Sequence, residues 1–146
     1  MNLILHLGVV AAGIAVAFQQ VLNANLRTEL ASPYWAGLAS YAVGTLSMVA
    51  VLLFTGSTLP SAAALGRTSW WSWSGGLFGA LFILTAILAV PRIGAATTLA
   101  LVVVGQMVGS LAFDHYGILG LQQHTVSPTR LAGAALLIAG VFLIQR

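Results

Sequence analysis

The sequence predicts an all-α integral membrane protein in which five transmembrane helices make up one domain, 1–146. Three observations carry this. First, 60% of the residues are hydrophobic and only 5% charged, where a soluble domain of this size carries about a quarter charged. Second, the stretch from Gly94 to Phe113 has no charge at all, which is the length a helix needs to cross the hydrocarbon core. Third, the apolar stretches are separated by helix punctuation: Ser32-Pro33, Pro91-Arg92-Ile93-Gly94 and Ser127-Pro128.

The same composition excludes several classes. Five Arg scattered singly, with no Lys, form no basic patch for nucleic acid and read as anchors at the membrane surface. The absence of cysteine removes disulfides, thiolate metal sites and cysteine catalysis. His6, His115 and His124 have no metal-ligand spacing, so neither a metal nor another cofactor is expected. No nucleophile, base and orienting group share a plausible spacing, which argues against an enzyme. The N-terminal apolar run lacks a basic flank and is too long for the core of a cleavable signal, so it reads as the first span.

Span one covers about 3–23. Gly8, Ala12 and Ala15, and Gly13 with Ala17, permit close helix approach. Its far end is polar, with Gln19, Gln20, Asn23 and Asn25, and Gln20 and Asn23 share one face with Gly13 and Ala17. An amide at membrane depth needs a partner, so this face is expected to point into the bundle, either as a helix–helix contact or as the lining of a substrate path. Arg27 and Glu29 are expected in a short polar loop. At Ser32-Pro33 the serine caps a helix and the proline takes its first position, opening span two at about 34–55. Tyr34 and Trp35 stand at its mouth as an aromatic anchor, and Ser40 and Gly44 form a small-residue pair within it.

Residues 56–69 read as a loop rich in Gly, Ser, Thr and Pro, with Arg67 as its single charge. Trp70, Trp71 and Trp73 follow as a belt at the membrane–water boundary. Span three, about 70–90, carries the helix-packing pair Gly75 and Gly79, and Pro91 is expected to end it in a tight reversal. Span four, about 94–113, has one polar flank: Thr98, Gln106, Ser110 and the terminal Asp114 fall at multiples of four, beside the pair Gly105 and Gly109. Span five is expected at about 128–145 after the Ser127-Pro128 start, with Arg146 closing the chain.

Five spans put the ends on opposite sides. Arg67 and Arg130 then face one side and Arg27, Arg92 and Arg146 the other, close to a tie under the rule by which short-loop Lys and Arg set orientation. A chain so balanced is expected to insert both ways and to form an antiparallel homodimer; a pair with an oppositely oriented paralogue gives the same symmetry. Either arrangement reproduces the two inverted halves of many transporters, with the substrate site between them.

The set Gln19-Gln20-Val21-Leu22-Asn23-Ala24-Asn25-Leu26-Arg27 with Ser32-Pro33, Val43-Gly44-Thr45, Gly75-Gly76-Leu77-Phe78-Gly79, Val90 to Thr98, Gly105-Gln106, Asp114-His115-Tyr116-Gly117 with Gly120, and Arg130 to Gly133 resembles the half-size, five-helix, EamA-like branch of the drug/metabolite transporter superfamily. The resemblance covers nearly the whole chain. It implies a multi-pass protein of the bacterial inner membrane and the fold of one half of a ten-helix inverted-repeat transporter. It supplies no substrate. The small four-helix multidrug exporters of the superfamily place a glutamate in mid-span one to exchange protons for cations; here span one has no acid, and Glu29 and Asp114 lie at helix ends.

The candidate substrate-path residues are therefore Gln19, Gln20, Asn23, Thr98, Gln106 and Ser110. Gln106, near the middle of span four, reads either as a hydrogen bond inside the bundle or as a substrate contact at the midplane. Asp114 reads either as a cap or ion-pair partner, with Arg130 in reach, or as a titratable coupling group that His115 tunes. His6 is expected on the same side of the membrane as Asp114. Three functions compete: a secondary transporter of small metabolites or drugs by alternating access, a small dual-topology channel, and an accessory subunit without transport of its own. The partners expected are a second copy, membrane lipid and an unidentified small molecule.

Overall fold

A computed structural model describes residues 2–118 and 121–145; Gly120 and Arg146, which figure in the reading above, lie outside the described residues. The described residues are helical throughout their long elements: α1 (Asn2–Glu29), α2 (Pro33–Thr55), the short α3 (Ala62–Gly66), a 3-10 turn (Trp70–Ser74), α4 (Gly75–Ile93), α5 (Ala95–Tyr116) and α6 (Pro128–Ile144). Among the described residues, four segments are long and apolar enough to cross a membrane: Leu3–Glu29, Pro33–Thr55, Trp70–Ile93 and Ala95–Tyr116. α6 is apolar but shorter, at 17 residues. Large apolar side chains such as Leu53 and Phe54 lie bare along these helices, as in a chain whose solvent is lipid.

The chain falls into two compact units, one up to Pro91 and one from Arg92 onward. In the first, α1 packs on α2. The expected loop at Arg27 and Glu29 is instead the last turn of α1, which runs on to Glu29. The reversal needs only residues 30–32. Ala31 N–H donates to the Thr28 carbonyl (3.3 Å) and Ser32 N–H to the Arg27 carbonyl (3.1 Å), the pair of hydrogen bonds that closes a helix over a left-handed residue. That residue is Ala31, at φ 50°. Ser32 then caps α2 by accepting from Trp35 N–H (3.4 Å), with Pro33 in the first position. A small buried core of Ala36, Ile83 and Ile87, with Leu26 against it, joins α1, α2 and α4. Gly37 admits this contact: a Cβ there would touch Ile83 and Leu84 at 3.4 Å.

Two expectations of this region are corrected. The supposed loop 56–69 contains α3, because Ala62-Ala63-Ala64-Leu65 has high helix propensity and Ser61 caps it by accepting from Ala64 N–H (3.2 Å). Pro91 does not end α4. The helix continues to Ile93, and Gly94, at φ 82°, makes the break. Proline removes one N–H and so one bond to the carbonyl four residues back; it does not forbid another turn when that carbonyl finds a different donor.

In the second unit α5 packs on α6. Gly117, in the left-handed region at φ 59°, closes α5 by donating to the Phe113 carbonyl. The next carbonyls are satisfied by the following loop: His124 N–H reaches that of Asp114 (2.9 Å) and Gln123 Nε2 that of His115 (2.8 Å). Ser127 opens α6 by accepting from Arg130 N–H (3.3 Å).

Candidate functional site

The inner face of α1 is polar, as expected for the flank that a membrane helix turns away from lipid. Gln20, Asn23, Ala24 and Arg27, spaced three and four apart, form its buried stripe, with Gln20 0% and Asn23 5% exposed and Arg27 half-buried. Among the described residues, neither the Nε2 nor the Oε1 of Gln20 has a hydrogen-bond partner, nor does the Nδ2 of Asn23. An orphaned buried amide atom costs about 1–3 kcal/mol, so three on one helix face are a substantial, uncompensated term.

Arg27 ends the stripe. Its Nη1 donates to the Ile87 carbonyl on α4 (3.2 Å). Ile87 is four residues before Pro91, so this is the carbonyl that the proline leaves without its helical donor. Arg27 thus fills the gap that Pro91 opens, and the last turns of α1 and α4 are tied together. The sequence reading missed this link. Its signal was present: an in-helix proline marks the carbonyl four residues earlier as needing an external donor.

Next to the stripe, a crevice of about 370 Å³ lies between α1 and α2. Phe18, Leu22 and Val43 supply its apolar lining, and Gln19, Asn23 and Ser40 its polar groups. Gln19 Nε2 donates to the Ser40 hydroxyl (3.4 Å), so Ser40, read above only as a small packing residue, contributes chemistry. Unit one therefore brings Gln19, Gln20 and Asn23 to one region. His6 sits on the outer surface of α1. Gly79 packs beneath the Tyr41 hydroxyl, while the space around Gly75 is open.

Unit two gathers different candidates. Asp114 Oδ2 and Arg130 Nη1 form an ion pair at 3.2 Å at the head of the α5–α6 crevice, about 360 Å³, which Ser110 and Met107 also line. His115 Nδ1 accepts from Val126 N–H (3.4 Å), which ties the imidazole to the loop, and its ring meets Tyr116 edge-on. Thr98 is buried, 4% exposed, and donates to the Gly94 carbonyl (2.7 Å); Ser110 donates to Met107 in the same way (3.1 Å). These two hydroxyls are engaged by their own helix. Gln106 is exposed in this single chain, and so is Gly105, around which nothing lies within 4 Å; Gly109 meets only its own helix's Phe113. No cluster of acids and histidines suited to a metal occurs among the described residues.

Comparison with known proteins agrees with a membrane chain of this kind. The family model described as "Putative inner membrane exporter, YdcZ" matches residues 4–143. The inner membrane protein YdcZ of Escherichia coli (strain K12) is 29% identical over 137 residues, 94% of this chain and 91% of that protein. No solved structure matches. With four membrane-length helices among the described residues and a family match that spans nearly every residue, this multi-pass inner-membrane chain belongs to the YdcZ family of the drug/metabolite transporter type.

Proposed function

We propose that the chain is a secondary exporter of small metabolites or drugs that works by alternating access as an antiparallel dimer, each copy supplying one five-span half. The observation that carries this is the buried, unpaired amide stripe of Gln20 and Asn23 beside the α1–α2 crevice. Polar groups inside a membrane bundle cluster at substrate paths, where cargo and water supply the missing partners. The description of the family as an inner membrane exporter supports the direction of transport. The resemblance of the sequence to the half-size, EamA-like branch supports a pairing of two copies, and in this reading the apolar α6 serves as the fifth span.

Dimerisation also gives the exposed flank of α5 a purpose. Gln106 with Gly105 and Gly109 offers a polar group beside small residues, the pattern that lets two membrane helices approach and hydrogen-bond. A second copy is the partner this surface suits.

The test is flux from proteoliposomes containing the purified full chain. Export predicts saturable efflux that depends on an ion gradient, and a fall of at least about tenfold in Asn23→Ala, the loss of roughly one buried hydrogen bond to cargo. Fast, unsaturable flux without coupling would identify a channel. No flux alone, with flux restored by a co-purifying protein, would identify an accessory subunit.

A further inference from the structure

We propose that the buried stripe Gln20–Asn23–Arg27 of α1 is a binding site for an oxyanion, a carboxylate or phosphate group. This deepens the export reading, and rests on it only for the step from bound anion to cargo.

Arg27 is half-buried, and its one protein partner among the described residues is the neutral carbonyl of Ile87. The chain has two acidic side chains in all. Asp114 pairs with Arg130 (3.2 Å), and Glu29 accepts from Asn25 Nδ2 (2.7 Å) on the exposed side of α1. Neither forms an ion pair with Arg27 among the described residues, so a partly desolvated guanidinium stands without a counter-ion. Of its five N–H groups, one is spent on Ile87.

The second observation is independent of the first. The orphaned atoms on the same face are mostly donors: Gln20 Nε2 and Asn23 Nδ2, against one acceptor, Gln20 Oε1. Asn23 is one turn from Arg27, and Gln20 lies a further turn back, so the donors form a column about 10 Å long. An oxyanion, with several lone pairs and the geometry to accept two bonds from a guanidinium, is the ligand that such a column fits. A cation would be repelled by Arg27, and a neutral molecule would leave its charge uncompensated. The remaining acceptor, Gln20 Oε1, suits a hydroxyl on the ligand. The helix-end fields do not oppose this: the negative end of α1 and the positive end of α2 meet across the short turn 30–32.

The test is thermal unfolding of the purified full chain in detergent, at matched ionic strength, with three probes of similar shape: phenylacetate, phenethylammonium and 2-phenylethanol. Phenylacetate is expected to raise the Tm logarithmically with its concentration above the Kd, by roughly 3 °C at about ten times its Kd, and the other two to leave it unchanged. Asn23→Asp places an internal carboxylate one turn before Arg27. It is expected to keep or raise the basal Tm while abolishing the phenylacetate shift, which separates an occupied site from a misfolded one. Arg27→Gln is expected to lose the shift, and Arg27→Lys to retain part of it.

A shift with phenethylammonium and none with phenylacetate overturns the proposal, as does an undiminished phenylacetate shift in Asn23→Asp. A lipid phosphate has the same chemistry, so the chain is also titrated with phosphatidylglycerol and phosphatidylcholine. A rise with phosphatidylglycerol alone, lost in Asn23→Asp and unmatched by phenylacetate, identifies the bilayer as the source of the oxyanion and removes the cargo step. No shift with either overturns the site. Proteoliposome flux of the same three probes keeps the two readings apart. Phenethylammonium export without phenylacetate binding leaves export standing and sinks the site. Phenylacetate binding with no flux of any probe does the reverse.

Discussion

Arg27, Ile87 and Pro91 form the most specific residue-level device in the chain. A proline in the last turn of α4 costs the Ile87 carbonyl its helical donor, and a guanidinium from α1 supplies a charged one. Arg27→Ala is therefore expected to lower stability by about 1.5–3 kcal/mol, the range for a hydrogen bond to a charged group. In a Pro91→Ala background the carbonyl regains its N–H, so the same substitution should cost about 1 kcal/mol less. Unfolding midpoints of the two single variants and the double variant close this cycle, and strict additivity would sink the link. Ala31 makes a second residue-level prediction. Its left-handed backbone penalises any side chain by about 1–2 kcal/mol, so Ala31→Gly should stabilise the α1–α2 turn, by about 1 kcal/mol after the extra freedom of glycine in the unfolded chain is counted. A lower midpoint for Ala31→Gly would show that the turn is held elsewhere.

At the scale of elements, α1–α2 and α5–α6 are both hairpins opened by a serine cap and a proline, but their ends are stabilised differently. The α1–α2 reversal is three residues long and Ser32 serves both helices, ending one and capping the next. Ser32→Ala should cost about 1 kcal/mol, read as a lower unfolding midpoint. The α5–α6 connection is longer, and its backbone and side chains satisfy the last carbonyls of α5. The Asp114–Arg130 ion pair stands at this end with its side chains 34% and 40% exposed. Solvent screening at that exposure leaves it worth well under 1 kcal/mol, so Asp114→Asn should barely move the unfolding midpoint. A large loss of transport in a variant that stays folded would then assign Asp114 a coupling role rather than a structural one.

For the whole molecule, the near-tie of arginines across the spans bears on assembly. Residue 28 lies at the end of α1 and residue 57 just beyond α2, a helix about 35 Å long, so they mark opposite faces of the membrane. The chain has no cysteine, and Thr28→Cys and Ser57→Cys are therefore clean probes. Labelling of intact cells with a membrane-impermeant thiol reagent should modify a fraction of each if the chain inserts both ways. Full labelling of one and none of the other would exclude the antiparallel homodimer and direct the search to an inverted paralogue.

The membrane class, the helix starts and the polar end of span one were legible in the sequence, because hydrophobic length, Ser-Pro caps and clustered amides act locally or through composition alone. The local reading erred where a longer-range partner intervenes. Arg27 looked like a loop residue, yet it lies in α1 with an acceptor on α4, and Pro91 looked like a stop, yet the Ile87 carbonyl it leaves open finds its donor in Arg27, 60 residues away in sequence. Which polar groups are satisfied is likewise a tertiary matter. Thr98 and Ser110 bond within their own helix, whereas both amide atoms of Gln20 and the Nδ2 of Asn23 are left buried and unpaired among the described residues. Periodicity assigns a residue to a face; only the packing of a neighbouring helix against that face determines whether its polar atoms find a partner.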